Sequence, residues 1–282
     1  MKLLVVFAGL LAVALAKVPI TVDYHHQIGI PEAQRIKQAE QALDFDGSRI
    51  VGGSAAALGA YPYIGGLVIT LTTGSTSVCG SSLLNNQRLV TAAHCWRTFS
   101  AQARQFTVVL GSTLLFSGGT RIATSDVEMH ASYNMITLAN DIAIIRINAV
   151  TFSNSIQPIS LASGSNDYAG TWANAAGFGR TSDSAGISSG AFLSHVSLRI
   201  ITNAECRNTF GSTIIDSTLC TSGENGRSTC GGDSGGPLAI GSATSATLVG
   251  ITSFGAAAGC QRGFPAGFAR VTSFNSWLSA RL

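Results

Sequence analysis

Residues 230–237, Cys-Gly-Gly-Asp-Ser-Gly-Gly-Pro, constrain this 282-residue chain more than any other stretch. Glycine lets a backbone adopt positive φ and approach a ligand closely, because it has no Cβ. Ser234 is therefore predicted to lie on a tight loop whose backbone N–H groups point at a substrate oxygen. Such donors stabilise the tetrahedral intermediate of acyl transfer, and losing one typically costs about 10²–10³ in kcat. Taken alone, the run also fits a surface loop rich in glycine and serine.

Two further motifs favour a catalytic loop. His94 lies in Thr-Ala-Ala-His-Cys at the end of an apolar run, and Asp141 opens a β-branched stretch. A serine hydroxyl is a weak nucleophile until a base removes its proton. A carboxylate beside an apolar strand is costly to bury without a partner. An imidazole can accept the serine proton and can also donate an N–H to the carboxylate, so we expect His94, Asp141 and Ser234 to act together.

With these residues the chain resembles the chymotrypsin/trypsin family of serine proteases, whose triad has the same chain order. The matching motifs are IVGG at 50–53, TAAHC at 91–95, NDIA at 140–143, GDSGGP at 232–237 and SFG at 253–255. The resemblance covers residues 50–282 and is strongest to arthropod digestive chymotrypsin-like enzymes. It implies an all-β fold of two antiparallel six-stranded β-barrels with a C-terminal α-helix. In that mechanism His94 is the base, Asp141 orients it, Ser234 attacks, and the N–H groups of Gly232 and Ser234 form the oxyanion hole.

The sequence pattern agrees with such a fold. Short β-rich runs, for example 66–71 and 247–251, alternate with clusters of Gly, Ser and Asn, which is typical of sandwiches and barrels. Near the end of the chain, apolar residues fall at helical spacing from Val271 to Leu282, namely Val271, Phe274, Trp277, Leu278 and Leu282. They predict an amphipathic C-terminal helix.

The first 49 residues differ from the rest. Residues 1–16 have the layout of a signal peptide, with Lys2, an apolar run and an Ala-Leu-Ala end. The run is shorter than the roughly 18–20 apolar residues that a membrane span needs, so we expect secretion to the extracellular space. Residues 17–49 are predicted to be an activation propeptide with a helix over 31–43, beginning at Pro31. Residues 50–282 are then the catalytic domain.

The resemblance implies that the protein is made as a zymogen. Cleavage after Arg49 would free the α-amino group of Ile50, which would pair with Asp233 and set the oxyanion hole. A buried Asp233 charge without such a partner is strongly unfavourable. The propeptide has no cysteine to tether it, so we expect it to leave after cleavage. The pair His25–His26 fits a metal-binding or pH-sensing site, but an exposed pair is the better interpretation.

Six cysteines are present, an even number that indicates disulfides in a secreted chain and permits 15 pairings. They are Cys79, Cys95, Cys206, Cys220, Cys230 and Cys260. The resemblance implies the pairs Cys79–Cys95, Cys206–Cys220 and Cys230–Cys260. Zinc binding is the competing interpretation, but no suitable Cys or His spacing supports it.

The resemblance also places a substrate pocket. Ser228 corresponds to its base, Gly255 to its mouth and Ala266 to a wall, with Ser253 beside the nucleophile. A neutral, fairly deep slot implies chymotrypsin-like cleavage after large apolar or aromatic residues. Because Ala266 replaces a more usual glycine, elastase- or collagenase-like preference stays open.

The composition and charge of the chain argue against several other classes of protein. With 46% hydrophobic and 11% charged residues the chain fits a compact globular body and not a disordered one. A net charge of +3 without a long basic run argues against nucleic-acid binding. We expect no cofactor and no metal, since residues 105–122 lack the carboxylates that calcium prefers. The expected partners are peptide substrates, an activating trypsin-like protease and protein inhibitors, with the enzyme a monomer.

Two other functions remain open. One is a non-catalytic protease homologue that acts as a binding adaptor, although such proteins usually lose a triad residue or a glycine of the nucleophile loop. The other is a regulatory cascade protease, which often carries a long cysteine-rich prodomain.

Overall fold

The computed structural model describes residues 17–46, 56–184 and 192–282. Its three α-helices are α1 (Ile30–Asp46), α2 (Asn203–Phe210) and α3 (Val271–Ser279). Its strands are β1 (Ile64–Leu71), β2 (Thr76–Asn85), β3 (Arg88–Thr91), β4 (Ala103–Leu110), β5 (Thr120–Thr124), β6 (Val127–Met129), β7 (Ala143–Arg146), β8 (Ser160–Leu161), β9 (Trp172–Gly177), β10 (Ser194–Ile201), β11 (Thr218–Thr221), β12 (Pro237–Ile240), β13 (Thr247–Phe254) and β14 (Ala266–Arg270).

The strands form two sheets that follow one another along the chain. The first has the order β5-β4-β1-β2-β3-β7-β6, with every pairing antiparallel. The second has the order β12-β9-β10-β11-β14-β13-β8, and an additional β12–β13 pairing closes it on itself. Most residues of β1, β2 and β13 are buried, since these strands line the interior of curved sheets. The largest apolar core takes residues from both sheets, for example Leu67 and Phe106 from the first and Leu248 and Phe268 from the second.

The prediction of two β-barrels with a C-terminal helix is confirmed, with a different strand count. Each sheet has seven strands instead of six, because β6 and β8 add short terminal strands. β8 has two residues and pairs in parallel with β13. In α3, Val271, Phe274 and Leu278 are buried, as the helical spacing predicts.

The described N-terminal segment, residues 17–46, packs on the barrels. A π-helical turn, His25–Gly29, leads into α1, so the helical region is longer than predicted at both ends. Pro31 is the second residue of α1; because the π-helical turn precedes it without a break, it lies inside the helical region and not at the first position that the sequence predicted. His25 is fully buried whereas His26 is exposed, so the expectation of an exposed histidine pair is wrong for His25. Burial occurs because the turn enters the cleft.

No α-helix in the described ranges combines the length and apolar character needed to cross a bilayer.

Three disulfides are present and have the pairing that the resemblance implied. Cys79–Cys95 joins β2 to the turn that carries His94. Cys206–Cys220 joins α2 to β11, and Cys230–Cys260 joins the nucleophile loop to a loop after β13. Two of the three crosslinks thus hold the loops of the candidate site.

Candidate active site

His94 is held in one orientation by Asp141. It lies on a single 3₁₀ turn, Ala93–Cys95, directly after β3. Asp141 Oδ2 is 2.7 Å from His94 Nδ1, and Asp141 Oδ1 accepts the backbone N–H of His94 at 2.8 Å. Both side chains are almost completely buried. Since the carboxylate accepts at Nδ1, that nitrogen carries the proton, and Nε2 is left with a lone pair to act as a base.

Ser253, in β13, fixes Asp141 in turn. Its hydroxyl donates to Asp141 Oδ2 at 2.6 Å. Asp141 follows the first sheet's β6 and precedes β7, whereas Ser253 belongs to the second sheet, so this bond crosses the junction of the two barrels. The sequence placed Ser253 among substrate-binding residues; the geometry gives it a positioning role as well.

Ser234 lies on a loop that the first sheet supports. Its carbonyl accepts the N–H of Gly80 in β2 at 2.7 Å. Gly235 has φ of +79°, and a Cβ there would come within 2.1 Å of Thr91 Oγ1. Gly232 has φ of +101°, and a Cβ there would lie 2.8 Å from the Cα of Gly179. These two positions require glycine, which explains the Gly-rich run around the nucleophile.

Asp233 points its carboxylate into the protein beside Ser234. Oδ1 accepts the N–H of Gly179 and Oδ2 accepts the N–H of Cys230, each at 2.9 Å. Burial raises the pKa of this carboxyl to about 6, with a further increase from the charge of Glu32. A cavity of about 560 Å³ adjoins it and is lined in part by Gly179, Asp233 and Ser228. Arg49 and Ile50, the predicted activation residues, lie outside the described residues.

Tyr24, from the N-terminal segment, occupies the catalytic centre. Its ring centroid is 4.7 Å from that of His94, and its hydroxyl donates to the carbonyl of Val78 at 2.8 Å. Burial raises the pKa of the phenol, and hydrogen bonding from Ser234 and from the Gly232 N–H opposes that rise. Tyr24 and Ser234 also line the same cavity, so the tyrosine lies beside the candidate nucleophile. Sequence reasoning missed this residue, since an isolated tyrosine in residues 17–49 carries no motif.

The candidate substrate pocket is a cavity of about 270 Å³ beside Ser234. Its lining includes Ser228, Ser253 and Gly255, three of the residues that the sequence analysis assigned to substrate binding. A Cβ at Gly255 would meet no atom within 4 Å, so the mouth is open at that position. Ala266 is 1% exposed within β14 and does not line this cavity; the preceding residues Phe264 and Pro265 do.

The pocket is less neutral than the sequence suggested. Arg180 and Asp183 also line it, although the base at Ser228 carries no charge. The Asp183 carboxylate accepts the N–H groups of Cys260 at 2.7 Å and Gln261 at 3.1 Å. Both ionic groups come from the loop after β9, a region without a recognisable motif, and so sequence reasoning did not find them.

A carboxylate, an oriented imidazole and a serine hydroxyl, gathered where two β-barrels meet, define the class of serine hydrolases. The protein-family model described as Trypsin matches residues 50–278. The chain is 36% identical over 234 residues to a collagenase of Hypoderma lineatum, covering 82% of this chain and 86% of that protein. It is 37% identical to brachyurin of Leptuca pugilator, covering 82% and 98%, and 38% identical to trypsin delta of Drosophila melanogaster, covering 82% and 87%.

A solved structure of HL collagenase agrees with this chain at a TM-score of 0.74 and 35% sequence identity, covering 82% of this chain and 98% of that one. The chain therefore belongs to the trypsin family of serine proteases.

Proposed function

We propose that this protein is a secreted serine endopeptidase in which His94, Asp141 and Ser234 form the triad. The observation that carries the proposal is the hydrogen-bonded series from Ser253 through Asp141 to His94, with the Ser234 loop beside it. In this mechanism His94 Nε2 takes the Ser234 proton as Oγ attacks the carbonyl carbon. The N–H groups of Gly232 and Ser234 hold the oxyanion, and His94 then protonates the leaving amine. Water hydrolyses the acyl-enzyme by the same steps in reverse.

The chain is proposed to be a zymogen with residues 1–16 as signal peptide and 17–49 as propeptide. The family match begins at residue 50, directly after the basic Arg49. In the intact chain the Asp233 carboxylate has a raised pKa, which indicates that two N–H donors do not offset its burial. A cation at Ile50 would remove that imbalance, and the cavity beside Asp233 offers space for the new N-terminus.

For specificity we propose cleavage after large apolar or aromatic residues. The pocket base at Ser228 is uncharged and the mouth at Gly255 is open. Broader, collagenase-like cleavage is the second candidate, favoured by the identity to the Hypoderma and Leptuca proteins. A binding adaptor without activity is less well supported, since all three triad side chains are present. A digestive role is proposed on the resemblance of the sequence motifs to arthropod digestive chymotrypsin-like enzymes.

The test is activation followed by substrate profiling. Treatment with a trypsin-like protease should give a new N-terminus, Ile-Val-Gly-Gly, together with hydrolysis of a peptide library that Ser234→Ala abolishes. Asp233→Asn should be cut at the same bond and stay nearly inactive, because an amide cannot pair with the Ile50 ammonium. Full activity in a form that keeps Arg49–Ile50 intact would contradict the zymogen proposal. A cleaved enzyme that hydrolyses no peptide would contradict the protease function.

A further inference from the structure

We propose that residues 17–46 are an inhibitor of the catalytic domain that binds its cleft and stays bound, reversibly, after the chain is cut at Arg49. The surface around Ser234 is then a binding site for this segment as well as for substrate. The inference rests on the proposed protease function and goes beyond it. In a simple zymogen, cleavage alone completes activation; here a second event, release of the segment, is also needed.

Tyr24 blocks the chemistry itself. Its ring stacks near the His94 imidazole, with centroids 4.7 Å apart and planes tilted by 56°. Its hydroxyl donates to the carbonyl of Val78 at 2.8 Å, and the side chain is 5% exposed. Tyr24 and Ser234 line the same cavity, so the tyrosine occupies space that a substrate would need beside the nucleophile. Because the group presented to Ser234 is a phenol and not a carbonyl, the segment offers no bond to cleave at this point.

The stretch before Tyr24 covers the pocket side of the cleft. Ile20 forms an antiparallel bridge with Ala256, and the carbonyl of Pro19 accepts the N–H of Ala257 at 2.9 Å. Ala256 and Ala257 both line the candidate substrate pocket, as do Thr21 and Tyr24 of the segment itself. A substrate chain therefore cannot reach Ser228 while the segment is in place.

Two glutamates of α1 anchor the segment by charge. Glu40 is 5% exposed, and its carboxylate accepts the N–H of Leu115 at 2.6 Å, the N–H of Phe116 at 2.9 Å and the hydroxyl of Ser117 at 2.9 Å. Glu32 is 1% exposed and lies 2.5 Å from the Arg180 guanidinium. Buried carboxylates are stable only with such partners, so their number indicates a specific interface.

Apolar contacts complete the interface. Ile36 is fully buried and Ala33 is 2% exposed. Both belong to a cluster with Ile64, Val78, Val109, Leu115, Ala176, Phe178 and Leu193 of the catalytic domain. Gly29 fits so closely that a Cβ there would lie 2.0 Å from Ser77 Oγ and 2.9 Å from the Tyr24 ring.

In every one of these contacts, the residue on the side of the N-terminal segment belongs to residues 17–46. Cutting the chain after residue 49 removes none of them, and so the expectation that the propeptide leaves on cleavage is not supported by its packing. The cut segment should instead stay in the cleft as a competitive inhibitor, with an affinity that depends on the contacts described above.

The first experiment cuts the full-length Ser234→Ala chain after Arg49 and applies native size-exclusion chromatography. We expect the fragment of residues 17–49 to co-elute with the catalytic domain at neutral pH. The second experiment adds a synthetic peptide of residues 17–46 to active enzyme that has been freed of its fragment by denaturation and refolding or by acid. We expect competitive inhibition, measured as a rise in KM with kcat unchanged.

Three variant peptides identify the contacts. Tyr24→Ala and Glu40→Gln should each weaken inhibition at least tenfold, since each loses a buried hydrogen-bonding group. Lys37→Ala is the matched control, because Lys37 is exposed on α1, and it should inhibit like the parent peptide. Equal inhibition by the parent and Tyr24→Ala peptides would overturn the proposed site.

Binding of the parent peptide to the cleaved Ser234→Ala domain, freed of its own fragment by acid and returned to neutral pH, is measured by calorimetry and separates this inference from the protease function. If the peptide binds and the wild-type enzyme hydrolyses nothing, the protease function fails and the inhibitor inference stands. If the enzyme hydrolyses peptides and the segment neither co-elutes nor binds, the inference fails alone.

Discussion

Glu32 of α1 and Asp233 of the nucleophile loop are two carboxylates close enough that the charge of one affects the other. Burial is the main cause of the raised pKa of Asp233, and the negative charge of Glu32 adds to it. Glu32 itself is paired with Arg35 at 2.8 Å and with Arg180. The N-terminal segment therefore acts on the electrostatics of the loop that carries Ser234, in addition to covering it.

This relationship predicts how stability depends on pH in the uncleaved chain. The pKa of Asp233 is about 6 in the folded chain against 3.8 ordinarily, so the folded state keeps a proton that the unfolded state loses between these values. The group thus makes folding less favourable as the pH rises from about 4 to about 6. Denaturant unfolding of the uncleaved Ser234→Ala chain, with and without Asp233→Asn, measures the effect. The stability of the Asn variant relative to its parent should increase over that range by at most about 3 kcal/mol; a pH-independent difference would contradict it.

Asp141→Asn should leave the fold intact and lower kcat by about 10⁴-fold, the magnitude associated with this change in the chymotrypsin-type triad. An amide can donate to His94 Nδ1 only when the proton sits on Nε2, which removes the base. Ser253→Ala is the control: it keeps the carboxylate and removes one hydrogen bond to a charged group, worth about 1.5–3 kcal/mol, so its loss in kcat should be about 10- to 100-fold. Steady-state kinetics on a small ester substrate measure both. Losses of equal size would argue against the tautomer explanation.

Ser234→Ala and His94→Ala should each lower kcat by several orders of magnitude, and the double variant should be little worse than either. A nucleophile and its base act as a unit, so removing the second adds almost nothing. Single-turnover rates with the cleaved enzymes give the comparison. Multiplicative losses would show that the two residues work independently.

His25 should make binding of residues 17–46 weaken in acid. Burial is the main cause that lowers its pKa to about 3, with the charges of His94 and His26 adding and Asp23 opposing. The free peptide takes up a proton at His25 below the ordinary pKa of 6.5, whereas the docked peptide does not. The affinity of the peptide for the catalytic domain is therefore greatest above pH 6.5. It falls as the pH decreases below that value, by up to about tenfold per pH unit. Calorimetry on the cleaved Ser234→Ala domain between pH 5 and 8 compares the parent peptide with His25→Gln. The Gln peptide should show a shallower slope; equal slopes would remove His25 as the cause.

The pocket should favour apolar side chains strongly over basic ones. An entering Lys or Arg would lose water at the uncharged Ser228, and the Asp183 carboxylate that also lines the pocket already accepts two backbone N–H groups. A buried Phe or Leu instead gains about 1.5–3 kcal/mol, one to two orders of magnitude in kcat/KM. Ser228→Asp should raise cleavage after Arg and leave the triad unaffected, as active-site titration would verify. Asp183→Asn is the control: it removes the only acidic side chain named above in the pocket lining, and comparison with wild type shows whether that carboxylate contributes to cleavage after Arg. Equal cleavage after Arg and Phe by the wild-type enzyme would show that Ser228 is not the base.

The fold class, the order of the motifs and the candidate triad could all be predicted from the sequence. Short β-rich runs between turn residues are a local pattern, and the Gly-rich run around Ser234 reflects local backbone geometry, so both can be recognised without tertiary contacts. The helix in residues 31–43 was predictable for the same reason, because its signal lies within a few turns of one chain segment.

The packing of the N-terminal segment could not be predicted from the sequence. Tyr24 and Glu40 belong to no motif and His25 was expected to be exposed, because the partners of all three lie far along the chain: Val78 for Tyr24, Ser77 for His25 and Leu115 for Glu40. The same holds for the Ser253–Asp141 bond, which joins residues 112 positions apart. The surroundings of a buried side chain depend on residues that are distant in the sequence. Neither the residue type nor the spacing of a motif specifies which of these residues it will contact.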